Sequence, residues 1–172
     1  MSLVVATGLA GCATGVDAQT TAYYNAPVGI DDRAGDMKGL NMLVVADEVG
    51  AGALVAALLN TADEEDELVA VTATDPDTGE ELTVTGLDSP VPLPPDELVQ
   101  LIDDTAVSGP IGISGEALEP GQVVQVDLQF ARAGAISVEV PVLAHENDYA
   151  DVPIPEPEPE QEPEPGEEQP AG

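Results

Sequence analysis

Residues 124–142 read VQVDLQFARAGAISVEVPV, and the fold follows from this stretch. Val124, Val126, Leu128 and Phe130 alternate with Gln125, Asp127 and Gln129. After Ala131-Arg132-Ala133-Gly134 the alternation resumes, with Ile136, Val138, Val140 and Val142 set against Ser137, Glu139 and Pro141. Successive side chains of a strand point to opposite faces. The pattern therefore predicts a β-hairpin with one apolar face. That face has to pack on a second sheet, because a lone hairpin is barely stable in water. Pro141 lacks an N–H and marks an edge or a strand end.

Upstream of the hairpin the chain reads as further strands. Asn41–Ala46 (NMLVVA) is apolar and β-prone, and Gly50-Ala51-Gly52 turns the chain. Ala53–Leu59 (ALVAALL) is a continuous apolar run, bounded by Gly and Asn and short enough for a strand buried on both faces. After an acidic loop at Asp63–Glu67 come Glu67–Thr74 (ELVAVTAT) and Glu81–Thr85 (ELTVT), separated by the turn Asp75-Pro76-Asp77-Thr78-Gly79. A proline-broken stretch, Ser89–Pro95, leads to Leu98–Ile102, and Ile111–Ser114 follows. About seven short strands with regular turns predict an all-β sandwich.

The composition limits what such a domain can do. The chain has 172 residues, 43% of them hydrophobic but only 2% aromatic, so its core is aliphatic. Its net charge is -31, with Arg33, Lys38 and Arg132 the only Lys or Arg residues. A nucleic-acid backbone would be repelled, and no aromatic platform is available for base stacking. A catalytic triad would have to use His145, the single histidine, and no nucleophile elbow accompanies it. No glycine loop is arranged to cradle a phosphate. The acids are too numerous for one catalytic pair to stand out. The expected protein is not an enzyme and carries no cofactor.

The ends of the chain differ in composition from the middle. Leu3–Ala10 is a short apolar run that closes on Leu9-Ala10-Gly11-Cys12. It is too short to span a bilayer. Cys12 is the only cysteine, so no internal disulfide or thiolate cluster can form. The tetrapeptide resembles a bacterial lipobox, in which small residues admit a signal peptidase and the thiol accepts a lipid. A signal peptide ordinarily opens on Lys or Arg, and only Met1 and Ser2 precede the run here; a start further upstream would supply them. The expected organisation is a signal peptide over 1–11, a lipid-anchored stalk and lead-in over 12–38, a sandwich domain over 39–150, and a Pro/Glu-rich tail over 151–172. Alternating Pro and Glu favours an extended, self-repelling chain. Lipid on Cys12 would hold the protein on the extracytoplasmic face of the cell membrane.

Leu54–Val71 (LVAALLNTADEEDELVAV) and Leu118–Val142 (LEPGQVVQVDLQFARAGAISVEVPV) together resemble the PCu(A)C copper-chaperone family. The lipobox, the strand Leu40–Asp47 and the pattern Asn60…Asp66-x-Leu68 bring the chain nearer the LpqE-like actinobacterial lipoproteins. The resemblance spans roughly 40–143 and implies an immunoglobulin-like or cupredoxin-like sandwich. It also implies association with the respiratory cytochrome bcc–aa3 assembly. The family's copper ligands do not carry over: its first His falls on Thr83, and its His-x-Met falls near Ser108 and Pro110. Cu(I) prefers thioether and imidazole donors. Met37, Met42 and His145 remain for a divergent copper-delivery site, which is the alternative to a structural or interaction role. Two acidic loops, Asp31–Asp36 and Asp75–Glu81, resemble calcium loops but lack the EF-hand spacing and are expected to be plain turns.

Overall fold

The computed structural model describes residues 28–102, 109–116 and 118–155. The expected signal peptide, Cys12 and the stalk as far as residue 27, and the tail beyond 155, lie outside the described residues. Ten strands run through the described part: β1 (Ile30–Asp32), β2 (Met37–Ala46), β3 (Ala51–Asn60), β4 (Asp66–Thr74), β5 (Glu81–Thr85), β6 (Val91–Leu93), β7 (Leu98–Gln100), β8 (Gly112–Ser114), β9 (Val123–Phe130) and β10 (Ala135–Ala144). The protein is all-β, as the alternation predicts. Seven strands close on themselves in the order β2–β10–β9–β4–β5–β8–β3 and back to β2, while β1, β6 and β7 pair outside this ring.

Two strands close the seams by changing partners midway. β10 pairs antiparallel with β9 from Ala135 to Pro141, then parallel with β2 from Val142 to Ala144. Pro141 stands at the change of partner, where its missing N–H matters least. β5 pairs with β4 at Glu81 and Leu82, then with β8 from Thr83 to Thr85. The sandwich is thus a closed, barrel-like one.

The hairpin β9–β10 buries the predicted face. Val124, Val126, Leu128, Phe130, Ile136, Val140 and Val142 all lie in the core, with Val138 half-buried beside them. In β2 and β4 the alternation shifts phase. Met37 faces inward, and so do Met42, Val44 and Ala46, although the parity has changed. The cause is a bulge between Leu40 and Leu43, with Asn41 at φ 49°. Asn tolerates this left-handed conformation better than most residues. A second register shift, between Leu68 and Ala70, changes the phase of β4.

Several expected boundaries move. The lead-in expected over 12–38 contains β1 and the first two residues of β2, so pairing starts at Ile30 rather than 39. Ser89–Pro95 holds strand β6, whose exposed Pro92 lies opposite Glu67 on β4. The strand expected over Leu98–Ile102 stops at Gln100.

The expected tail starts too early. After β10 comes a 3-10 turn at Asn147–Tyr149. The next residues continue the turn, the Val152 N–H donating to the Tyr149 carbonyl at 3.1 Å, and then approach the sheet. A Cβ placed on Gly112 would stand 3.1 Å from Cγ of Pro155. Val152, Ile154 and Pro155 are half-buried. The folded part therefore reaches Pro155.

This C-terminal strap gives the β2–β3–β8 face a cover. Val44, Leu54 and Ile113 belong to the core. By alternation, Val45 and Ala53 point away from it, and so does position 112. Val45 pairs with Ala53, and Ala53 with Gly112, so the three form one row on the outer face. Val45 and Ala53 are nonetheless fully buried. The strap starts where the Val152 carbonyl accepts from His145, beside the end of β2, and Pro155 stands over Gly112 at the end of this row; we read it as the cover of Val45 and Ala53.

Candidate functional site

The three possible copper donors do not converge. Met37 and Met42 are 4% and 1% exposed and pack in the aliphatic core. The Met42 sulfur occupies the space that a side chain at Gly39 would take, 2.6 Å from an ideal Cβ there. His145 lies at the other end of β2, where its N–H donates to the Ala46 carbonyl at 2.9 Å. Met37 and Ala46 are the two ends of β2, nine residue steps apart, roughly 30 Å at the rise of a strand. The His145 ring donates from Nε2 to the Val152 carbonyl at 2.9 Å, which ties the base of the strap to β10. It borders a surface cleft of about 400 Å³ whose charged neighbours are Asp47, Glu48 and Glu146. One imidazole among hard carboxylates is not a Cu(I) donor set.

The positions that the resemblance assigns to the family's ligands do not form one either. Thr83 is exposed on β5, opposite Ser114. Pro110 is half-buried just before β8 and has no side-chain donor. Ser108 lies outside the described residues, as does Cys12. Among the described residues, no group of three or more His, Cys, Asp or Glu side chains is placed to hold a metal.

The pattern Asn60…Asp66-x-Leu68 has a structural explanation. Asn60 is 1% exposed. Its amide donates to the carbonyls of Glu64 at 2.8 Å and Leu93 at 2.9 Å. Its Oδ1 accepts from the Ala62 N–H at 3.0 Å. Asp66 is 5% exposed, and its carboxylate accepts three backbone N–H groups, from Glu67, Arg132 and Ala133, at 2.8, 2.9 and 2.8 Å. It thereby clamps the β9–β10 turn to the start of β4. The Arg132 guanidinium completes the clasp, donating to Glu64 at 2.7 Å and to the Glu65 carbonyl at 3.2 Å. A buried carboxylate needs such donors. Leu68 lies fully in the core. Sequence reading noted the spacing of Asn60 and Asp66 but missed their partner. A lone Arg in the turn of the hairpin, facing an acidic loop, was the available signal.

Both acidic loops are self-satisfied turns. In the first, the Lys38 ammonium donates to the carbonyls of Arg33, at 2.9 Å, and Gly35. The loop's carbonyls already face a cation. Asp31 accepts from the Asn41 N–H at 2.7 Å and from Arg33 at 2.8 Å. The Asn41 N–H, then the Arg33 guanidinium, hold its carboxyl below the usual carboxylate range. In the second, Asp75 accepts from the Asp77 N–H and the Thr78 hydroxyl, each at 2.8 Å. The same two donors, the N–H first, lower its pKa.

No family model matches the sequence, and no curated protein matches it. Solved structures do resemble the fold. The apo PCuAC domain from PmoF1 superposes with a TM-score of 0.53 at 22% identity, over 67% of this chain and 99% of that one. The copper-bound PCuAC domain from PmoF2 gives 0.51 at 19% identity, over 67% and 98%. At these identities the likeness is one of fold: residues folded here into a closed all-β sandwich take the PCuAC-domain architecture.

Proposed function

We propose that this protein is exported, anchored by lipid on Cys12 to the extracytoplasmic face of the cell membrane, and acts by binding a partner rather than by catalysis. It carries the copper-chaperone fold without that family's copper ligands. The observation that supports this reading most is the donor set: Thr83 and Pro110 stand at the aligned positions, while Met37, Met42 and His145 are separated along β2. The lipobox supports the location. The LpqE-like resemblance supports the respiratory cytochrome bcc–aa3 assembly as the partner.

Competition for Cu(I) against a chromogenic chelator tests the reading. The expected result is no stoichiometric retention of copper by the full chain. Tight one-to-one binding that is lost in Met42→Leu or His145→Gln would favour a divergent copper-delivery role and overturn the proposal.

A further inference from the structure

The apolar outer face of β2 and β3 continues past the strap. Leu40 pairs with Ala57, Leu43 with Val55, and Leu59 with both Lys38 and Leu98. Like Val45 and Ala53, all of these residues point away from the core. At the strap end the face is sealed, with Leu43, Val45 and Ala53 fully buried. At the other end Leu40, Val55, Ala57 and Leu59 are only half-buried, and Leu98 is 52% exposed on β7. Among the described residues, half of this apolar face has a cover and half has none.

The charge around this patch restricts what can cover it. Each of the chain's three cations is already engaged: Arg33 with Asp31 at 2.8 Å, Arg132 with Glu64 at 2.7 Å, and Lys38 with two carbonyls. Beside Leu98, Asp96 and Glu97 are exposed, and the chain as a whole carries a net charge of -31. A second copy of the chain would bring the same charge and be repelled. A partner with Lys and Arg around its own apolar patch would gain both burial and attraction.

We propose that the open half of this face, centred on Leu59 and Leu98, docks a protein surface that is apolar at its middle and basic at its rim. This rests on the interaction-protein reading and gives it a location. Contiguous exposed apolar area rimmed by charge is the usual mark of a protein–protein site. The face is continuous with one that already accepts an aliphatic, proline-containing segment.

The test uses the full chain and two labelled amphipathic peptides, each with a Leu face and with either Lys or Glu on the other face. Anisotropy is read at physiological salt, where charge alone acts over only about 8 Å. The Lys peptide should bind and the Glu peptide should not. Leu98→Glu should weaken the Lys peptide at least tenfold, although it adds attractive charge. Val123→Glu is the control, because Val123 is 46% exposed on β9, away from this face. It should change binding less than twofold. Equal behaviour of the two variants would mean that bulk charge, not this face, does the binding. Sedimentation showing a dimer abolished by Leu98→Glu would identify a second copy as the occupant and also overturn the proposal. Purification from solubilised membranes separates the two readings. If wild type captures no membrane complex, the interaction role fails; if wild type and Leu98→Glu capture it equally, only this surface fails.

Discussion

Substituting Val45 by Asp tests the strap. Val45 points outward from β2 and is fully buried, so the new carboxyl would sit beneath the cover rather than in water. It would have to become neutral or stay charged without partners. Holding an Asp protonated at pH 7 requires a pKa shift of about three units, which is about 4 kcal/mol. Loss of the buried valine adds about 1.5 kcal/mol or more. The full chain should therefore lose about 5 kcal/mol, a large part of a small domain's stability. Ending the chain at Ala150 removes Val152, Ile154 and Pro155 and opens the row to solvent. In that background the carboxylate can be hydrated, and Val45→Asp should cost only about 1–2 kcal/mol. Urea unfolding of the four proteins closes a double-mutant cycle with a coupling of about 3 kcal/mol. If Val45→Asp unfolds the full chain outright, Val45→Thr gives the same comparison on a smaller scale. Additivity within about 0.5 kcal/mol would mean that the strap does not cover Val45. Ending the chain at Pro155 instead should leave stability unchanged.

Four further outcomes are expected. Val126→Asp, at a core position 1% exposed, should lower stability by several kcal/mol with or without the strap, and a melting temperature within a degree or two of wild type would place that face outside the core. Asp66→Ala removes the acceptor for the Glu67, Arg132 and Ala133 N–H groups and should cost about 2–3 kcal/mol by urea unfolding, far more than an exposed Asp63→Ala. Because the folded-state pKa of Asp31 is depressed, its contribution is present above the ordinary carboxylate range and is lost as pH falls through the folded value. The difference in melting temperature between wild type and Asp31→Asn should accordingly be seen at neutral pH and vanish on acidification. Cys12→Ser should release the protein from the membrane fraction or leave an unprocessed precursor, and normal processing with full membrane retention would refute the lipid anchor.

The hairpin was legible because Val124–Val142 is half-buried, and a half-buried strand writes its two faces into the sequence at period two. Turn chemistry marked Asp75–Gly79 for a similar reason: its hydrogen bonds are made within five residues. The bulge at Asn41 was not legible. It changes which parity of β2 faces inward, and the partner strand decides that. Nor could the sequence say what covers the second face of ALVAALL. An apolar run predicts that both faces are buried, yet here the outer face is sealed at Ala53 and only half-buried at Val55, Ala57 and Leu59; the segment at the sealed end, Val152-Pro153-Ile154-Pro155, is far off in the chain and reads as the start of a solvated tail. Composition governs whether a segment can form a core of its own, and this one cannot. It can still lie across a sheet that leaves room at Gly112, and only the tertiary structure supplies that sheet. The same holds for the candidate donors. The sequence shows that Met37, Met42 and His145 are few and soft enough to consider. The long strand β2, with two of them turned into the core and the third at its far end, sets them apart.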